Sequence, residues 1–249
     1  MEIFDRLIAT LSDARVLSVD VGLFWTAVVV EQNGLRKCGL AATHANPEFE
    51  HARLPAVEEA GRLTSHTALE LAKLVYSRSF TEVGIGLATI NALLPPVQNP
   101  VELAAEEYIA RHGSDKQVAL IGHFPFVAQL KNQVKTLWVL ELNPREDDLP
   151  ASMAPEIIPQ ADILAITATT LVNHTFEEVF RLRKPGAKVL LLGPSTPLSP
   201  LLFEYGVDVL SGSVVEDPER ILPLLRQGAT FRQIRPQGVR LVTIEASQK

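Results

Sequence analysis

The chain has 249 residues, of which 47% are hydrophobic, 21% charged and 6% aromatic. This composition predicts a folded protein with a large aliphatic core and excludes an intrinsically disordered chain. Acidic residues outnumber basic ones by 29 to 23 and no segment concentrates Lys and Arg, so we expect no nucleic-acid partner.

The cysteine content and the hydropathy pattern bear on where the protein works. Cys38 is the single cysteine, which excludes an internal disulfide and any CxxC metal motif. The N-terminal segment MEIFDRLIATLSDAR carries charges where a signal peptide would be apolar, and no apolar run reaches the ~18 residues of a membrane span. We therefore expect a cytoplasmic protein with no membrane partner, and the sequence leaves homo-oligomerisation open.

The N-terminal part predicts an α+β unit. Apolar residues from Ile3 to Leu11 recur at helical spacing, which predicts an amphipathic helix. A helix capped by Thr64 and a short helix within residues 86–94 are predicted further on. Between the first helix and these two later helices, apolar runs predict an antiparallel meander with a tight turn at Asn33-Gly34. These predicted strands are residues 16–21, 24–31 and 35–41.

From Asp115 onward, short apolar runs alternate with longer amphipathic stretches. Continuous apolar strands separated by helices are typical of a parallel sheet covered on both faces, so this part predicts a Rossmann-like, doubly wound sheet. Pro and Gly cluster between Pro95 and Asp115, and there we place the boundary between a first domain, residues 1–112, and a second, residues 113–249. The predicted strands of the second domain are residues 118–121, 137–142, 163–166, 189–192 and 207–210.

Ligands of open α/β sheets bind beyond the carboxyl ends of the strands, so the residues that follow each strand are the candidates. Gly122, His123 and Phe124 follow the first strand; the glycine permits a close backbone approach, but the GxGxxG pattern of dinucleotide binding is absent. Glu141 ends the next strand about 20 residues later, where an acidic residue often binds a ribose. It is therefore either a ribose ligand or a solvent-facing strand end, and Asn143 opens what looks like a solvated polar loop.

The third predicted strand is followed by hydroxyl, amide and imidazole groups, those of Thr170, Asn173, His174 and Thr175. Asn173 or Thr175 could cap the helix predicted to begin near Phe176, without any ligand. The same helix start also offers backbone N–H groups to an anion, beside an imidazole that titrates near neutrality. Both interpretations remain open.

The fourth predicted strand is followed by Gly193, Pro194, Ser195 and Thr196, in a segment whose three prolines exclude a helix. We interpret this rigid turn as part of a binding site. Asn91 lies in an apolar run of the first domain, where an amide without a partner costs about 1–3 kcal/mol. We expect it either to find a local partner or to point across an interdomain cleft and share a ligand with Asn173, Thr175, Ser195 and Thr196.

The histidines show neither HxH nor HExxH spacing, and Cys38 has no partner thiol. We expect no preformed tight transition-metal site, so a metal would arrive with a chelator or be bound by residues that the fold brings together. Motifs for a serine nucleophile elbow, a Walker A loop or a kinase are absent. The histidines are His44, His51, His66, His112, His123 and His174.

These motifs together resemble a two-part family of uncharacterised proteins named for a putative heavy-metal chelation domain. The matching segments are GLATINA at 86–92, IGHFPF at 121–126, Glu141 with Asn143-Pro144, TLVNHT at 170–175 and GPSTP at 193–197. The resemblance implies an enolase N-terminal-like domain, a Rossmann-like domain resembling methyltransferases, and a site where the two meet. His174 stands where the motif commonly has a small residue, so the resemblance carries over no role for that imidazole.

The sequence and this resemblance together predict a two-domain α/β protein that binds a small polar, anionic or metal-chelating molecule in an interdomain cleft, with a role in metal handling such as making or processing a chelator. One alternative is a methyltransferase-like or hydrolytic enzyme that uses an adenosine-containing cofactor. The other is a non-catalytic metal carrier that uses His and Cys38. The cofactors that these hypotheses allow are a transition metal held through a chelator and the adenosine-containing group.

Overall fold

The computed structural model describes residues 2–46, 55–98 and 100–246. The chain folds into a three-stranded antiparallel sheet followed by a seven-stranded, mostly parallel sheet, which confirms the predicted mixed α/β architecture. In this described part of the chain, no helix is both long enough and apolar enough to cross a membrane.

The first unit begins with helix α1, Glu2–Ala9, which buries Ile3, Phe4 and Leu7. Strands β1 (Arg15–Val21), β2 (Trp25–Gln32) and β3 (Leu35–Ala42) then form the antiparallel sheet in the order β1-β2-β3. The β2–β3 turn is the predicted Asn33-Gly34 pair, and both residues have positive φ, 54° and 75°, as a two-residue hairpin turn requires.

Two helices cover this sheet, α2 (Ala68–Ala72) and α3 (Phe80–Leu93). The predicted cap at Thr64 was wrong, because Thr67 forms a capping box with Glu70 and thereby satisfies two backbone N–H groups at once. Helix α3 starts well before the predicted residue 86, and almost all of it is buried. Its glycines are sites of close packing, as at Gly86, where an added Cβ would lie 2.5 Å from the Val75 backbone nitrogen.

The second sheet has the strand order β10-β9-β8-β7-β4-β5-β6, and only β10 is antiparallel to its neighbour. Strands β6 and β10 were not predicted, because β6 has two residues and β10 alternates apolar with polar residues at the sheet edge. Strand β9 continues beyond the predicted end at residue 210 through Ser211, Gly212 and Ser213. The strands are β4 Gln117–Ile121, β5 Thr136–Glu141, β6 Leu149–Pro150, β7 Ile163–Thr167, β8 Lys188–Leu192, β9 Val209–Val215 and β10 Val239–Glu245.

Short helices flank the second sheet. The first of them packs on the sheet through Tyr108 and Ile109, which share a core cluster with Val118 and Leu120. Residues 105–112 thus lie with the second sheet, and we propose that the domain boundary falls before them. The helices are α4 Ala105–Gly113, α5 Val127–Leu130, α6 Ala154–Ile157, α7 Thr169–Val172, α8 Phe176–Arg181, α9 Leu201–Glu204, α10 Pro218–Arg226 and α11 Phe231–Ile234.

The two units share one continuous apolar core. Leu87 and Ile90 of α3 belong to the same buried cluster as Leu171 and Val172 of α7. Ion pairs reinforce the contact at its rim, among them Arg226 with Asp20 at 2.6 Å. The first unit is therefore fixed over the carboxyl ends of the parallel strands, which is where the candidate site lies.

Candidate ligand-binding cavity

A cavity of about 940 Å³ lies at the carboxyl ends of β4, β5, β7 and β8. The first unit closes its other side with residues that include Trp25, His44 and Phe80. Most of the predicted site residues line this one space, namely Gly122, His123, Phe124, Glu141, Asn143, Thr170, Asn173, Thr175, Gly193, Pro194 and Ser195.

The loop after β4 is shaped by Gly122, whose φ of 101° is a conformation that side chains disfavour. Its N–H donates to the carbonyl of Leu140, and the next N–H, that of His123, donates to Glu141 Oε1 at 3.0 Å. The second carboxylate oxygen of Glu141 accepts the N–H of Leu142. Glu141 is therefore engaged in holding the β4 and β5 loops together.

The imidazole of His123 is oriented by a buried carboxylate. Its Nδ1 lies 3.0 and 2.9 Å from the two oxygens of Asp148, whose side chain is 1% exposed, whereas the His123 side chain is 21% exposed. Burial alone would raise the pKa of Asp148, but hydrogen bonds from His123 and from the Arg145 N–H lower the pKa below its ordinary value. The sequence interpretation of residues 143–148 as a solvated loop was wrong at Asp148, since nothing distinguishes this carboxylate from its exposed neighbours Glu146 and Asp147 in the sequence.

A second imidazole reaches the cavity from the first unit. His44 follows β3 and lines the cavity together with Glu141. Burial lowers the pKa of His44, and the nearby charge of Glu141 acts in the opposite direction. His44 was not predicted as a site residue, because only the docking of the two units brings it to the cavity.

The segment after β7 is organised by its own polar side chains. Thr170 Oγ1 donates to the carbonyl of Thr167, and Asn173 Oδ1 accepts hydrogen bonds from both the N–H and the hydroxyl of Thr175. Thr175 is the residue before α8, but its side chain makes no capping hydrogen bond. Thr167, Thr169 and Glu178 also line the cavity and were not predicted.

The turn after β8 joins the two units. Ser195 is buried and its Oγ accepts the N–H of Ala42 at 2.8 Å. Asn91, also of the first unit, donates from Nδ2 to the carbonyls of Leu40 and Ser195 at 2.9 and 3.1 Å. The Asn91 amide thus has a partner in its own unit and one across the boundary.

Three predicted residues do not line this cavity. Asn91 and Thr196 line a second, smaller cavity on the far side of the turn. His174 is exposed, adopts a φ of 61°, and donates from Nε2 to the carbonyl of Val75 at 3.0 Å. Its imidazole therefore fastens the second unit to the first.

The charge of the cavity wall differs from the expectation of an anionic ligand. The ionisable residues in the wall are His44, His123, Glu141 and Glu178, and none of the described wall residues is Lys or Arg. Imidazole and carboxylate groups are donors that divalent transition metals accept. Within the described ranges, however, no three His, Cys, Asp or Glu side chains are arranged so that they could hold a metal ion by themselves.

Two family models match the chain, one over residues 4–94 and the DUF364 model over residues 105–243, and the description of both is "Putative heavy-metal chelation". The gap between the two matches lies before α4. An uncharacterized protein of Methanocaldococcus jannaschii is 25% identical over 237 residues, which are 90% of each chain.

Two solved structures are similar over 98% of both chains. One, from Desulfitobacterium hafniense, is a protein of unknown function from the DUF364 family, with a TM-score of 0.81 and 27% identity. The other is a protein of unknown function from the same family, from Pyrococcus horikoshii, with a TM-score of 0.83 and 24% identity. The architecture is thus shared along the whole chain.

Proposed function

This chain belongs to the DUF364 family of putative heavy-metal chelation, and from that premise we propose that it binds a divalent transition metal as a complex with a small organic chelator. The metal is cargo, and the 940 Å³ cavity between the two units holds the complex. The observation that carries the proposal is the wall itself, whose described residues offer imidazole and carboxylate groups but too few of them together to complete a metal site.

A tetrahedral zinc site has four ligands, and a tight protein site usually supplies at least three of them. His123 is the most suitable single donor, because Asp148 fixes its ring through Nδ1 and leaves Nε2 as the remaining ring nitrogen. His44 offers another imidazole from the opposite wall. The chelator then supplies the other donors, and a metal complex also suits a wall that lacks Lys and Arg among its described residues.

The adenosine-cofactor alternative receives less support from the geometry. Both oxygens of Glu141 already accept backbone N–H groups, so this carboxylate is less available to a ribose than its position in the sequence suggested. The metal-carrier alternative requires Cys38 to act with the histidines. Cys38 lines the second cavity, whereas His44 and His123 line the first.

The test is isothermal titration with Ni²⁺, with nitrilotriacetate and with their complex, which leaves coordination positions open on the metal. We expect the complex to bind with about one equivalent and more tightly than Ni²⁺ alone, and the chelator alone not to bind. His123→Gln and His44→Gln should each weaken binding of the complex by about tenfold or more, equivalent to about 1.4 kcal/mol.

His112→Gln is the matched control, because this ring lies on α4, outside the cavity wall, and is within hydrogen-bond distance of the carbonyl of Tyr108. It should leave binding unchanged. Tight equimolar binding of Ni²⁺ without the chelator would contradict the proposal, and so would equal affinity of all three variants for the complex.

A further inference from the structure

A second cavity of about 270 Å³ lies where the edge strand β3 of the first sheet meets β9 and β10 of the second. The segment after α3, including Leu94 and Pro95, forms part of its wall. Its basic and polar wall residues are Arg36, Lys37, Cys38, Asn91, Thr196, Ser213 and Arg240.

The charge of this cavity is opposite to that of the larger one. Three basic residues and no acidic residue occur among the described residues of its wall, in a chain of net charge −6. Arg36 and Arg240 form ion pairs with Glu219 and Glu216, which lie outside the wall. Each carboxylate offsets part of the positive charge of its arginine, so Lys37 is the main uncompensated cation among the described wall residues.

Lys37 is the most distinctive of the three cations. Its Nζ donates to Gln32 Oε1 at 2.9 Å and to the carbonyl of Leu94 at 3.5 Å, which are both neutral groups. No ion pair of Lys37 occurs in the described part of the chain. Burial lowers its pKa, which means that the surroundings disfavour the charged ammonium as they stand.

The same wall contains buried polar atoms without partners. Thr196 is 2% exposed, and its Oγ1 has no hydrogen-bond partner among the described residues. Asn91 Oδ1 is in the same situation, and the two hydrogen bonds that Nδ2 makes to carbonyl oxygens fix which end of the amide is the acceptor. Buried polar atoms are nearly always hydrogen-bonded, so both atoms indicate a missing partner.

We propose that this cavity binds a small oxyanion that also carries a hydroxyl group, either a hydroxycarboxylate or the phosphate ester of a small alcohol. The anionic group lies against Lys37 and accepts a hydrogen bond from the Thr196 hydroxyl. The ligand's own hydroxyl donates to Asn91 Oδ1, which accepts but cannot donate. The volume restricts the ligand to a small molecule.

This site is separate from the larger cavity proposed to hold the metal–chelator complex, and it does not depend on that proposal. The two cavities lie on opposite sides of the turn after β8, with Gly193, Pro194 and Ser195 lining the larger one and Thr196 the smaller. A variant on one side can therefore be tested for its effect on the other.

Isothermal titration of the metal-free full chain with lactate and with glycerol 3-phosphate separates the two ligand classes, and propionate serves as the carboxylate without a hydroxyl. We expect saturable binding of lactate or of glycerol 3-phosphate, and binding of propionate about tenfold or more weaker than that of lactate. Thr196→Val and Lys37→Met should each weaken binding by about tenfold or more, as for the loss of a charge-assisted hydrogen bond. Thr196→Val removes a hydroxyl that has no partner among the described residues, so this variant should fold even if Lys37→Met does not.

Lys116→Met is the charge-matched control, since Lys116 precedes β4 and lines neither cavity. It should bind like the wild type, and so should His123→Gln, which alters only the larger cavity. Absence of saturable binding of both hydroxylated probes would overturn the proposal. Equal affinities of wild type, Thr196→Val and Lys37→Met would overturn it as well.

Discussion

His123 and Asp148 are separated by strand β5 in the chain, yet the imidazole Nδ1 lies within 3.0 Å of both oxygens of the carboxylate. The carboxylate also accepts the N–H of Arg145, so it is fixed before it orients the ring. A ring held in this way presents Nε2 at a defined position, which is what a metal-ligating histidine requires.

The first prediction concerns how the Asp148 carboxylate makes the free energy of unfolding depend on pH. Its pKa is lowered in the folded protein, so its contribution is present above the ordinary carboxyl pKa and is lost as the pH falls through the lowered value. We expect Asp148→Asn to lower the free energy of unfolding by about 1.5–3 kcal/mol at pH 7, as for the loss of hydrogen bonds to a charged group. At pH 3 the loss should be clearly smaller. Urea unfolding at the two pH values measures the difference.

Asp147→Asn is the control for this experiment, because the Asp147 side chain is 77% exposed and pairs with the exposed Lys131. Its effect should stay within about 0.5 kcal/mol at both pH values. A cost of Asp148→Asn that does not change between pH 7 and pH 3 would refute the assigned role of the charge.

The second prediction concerns the loop after β4. Alanine at Gly122 would adopt a disfavoured φ and place its Cβ 3.1 Å from Thr167 Cγ2. Gly186→Ala is the matched control, since Gly186 also has a positive φ but has nothing within 4 Å of the added Cβ. We expect Gly186→Ala to cost about 1–2 kcal/mol, and Gly122→Ala to cost more and to weaken binding of the metal–chelator complex. Equal unfolding free energies with unchanged binding would show that the loop tolerates a side chain.

The third prediction concerns the contact between α3 and β3. A Cβ on Gly39 would lie 2.0 Å from the carbonyl oxygen of Ala88 and 2.4 Å from the Ala92 nitrogen, so the helix would have to move away from the sheet. We expect Gly39→Ala to cost at least about 3 kcal/mol, at the upper end of overpacking effects. In Gly84→Ala the new atom lies 3.1 Å from the Ala42 carbonyl oxygen, and the gain in helix propensity of about 1 kcal/mol offsets the crowding. Chemical denaturation of both variants tests the contrast, which a similar stability of the two would refute.

The fourth prediction concerns the thiol. Burial, together with the nearby charge of Asp20, raises the pKa of Cys38 to about 12. Because the thiolate is the reactive form, the folded protein at pH 8 should react with iodoacetamide roughly a thousandfold more slowly than an unperturbed thiol. The same chain in concentrated urea is the control and should react at the ordinary rate. Rapid labelling of the folded chain would contradict the prediction and would support a role for the Cys38 thiolate in metal binding.

Much of the architecture follows from local patterns in the sequence. The Asn33-Gly34 turn, the apolar strands of the parallel sheet and the proline-rich segment after Gly193 are encoded by neighbouring residues, and the structure has each of them. The glycine-containing start of α3 and the edge strand β10 were missed, because their stability comes from packing against other elements rather than from local propensity.

For the candidate site, the sequence by itself determined which residues follow the parallel strands, because their position at the carboxyl edge is a property of the sheet. Only the tertiary structure decided which of them share a space. In the folded protein Asp148 is buried beside His123, and His44 of the first unit lines the cavity. His174 instead contacts the Val75 carbonyl. Ser195 and Thr196 are neighbours in the chain but line different cavities, because the first unit packs against the turn that contains both and leaves a separate space on each side of it.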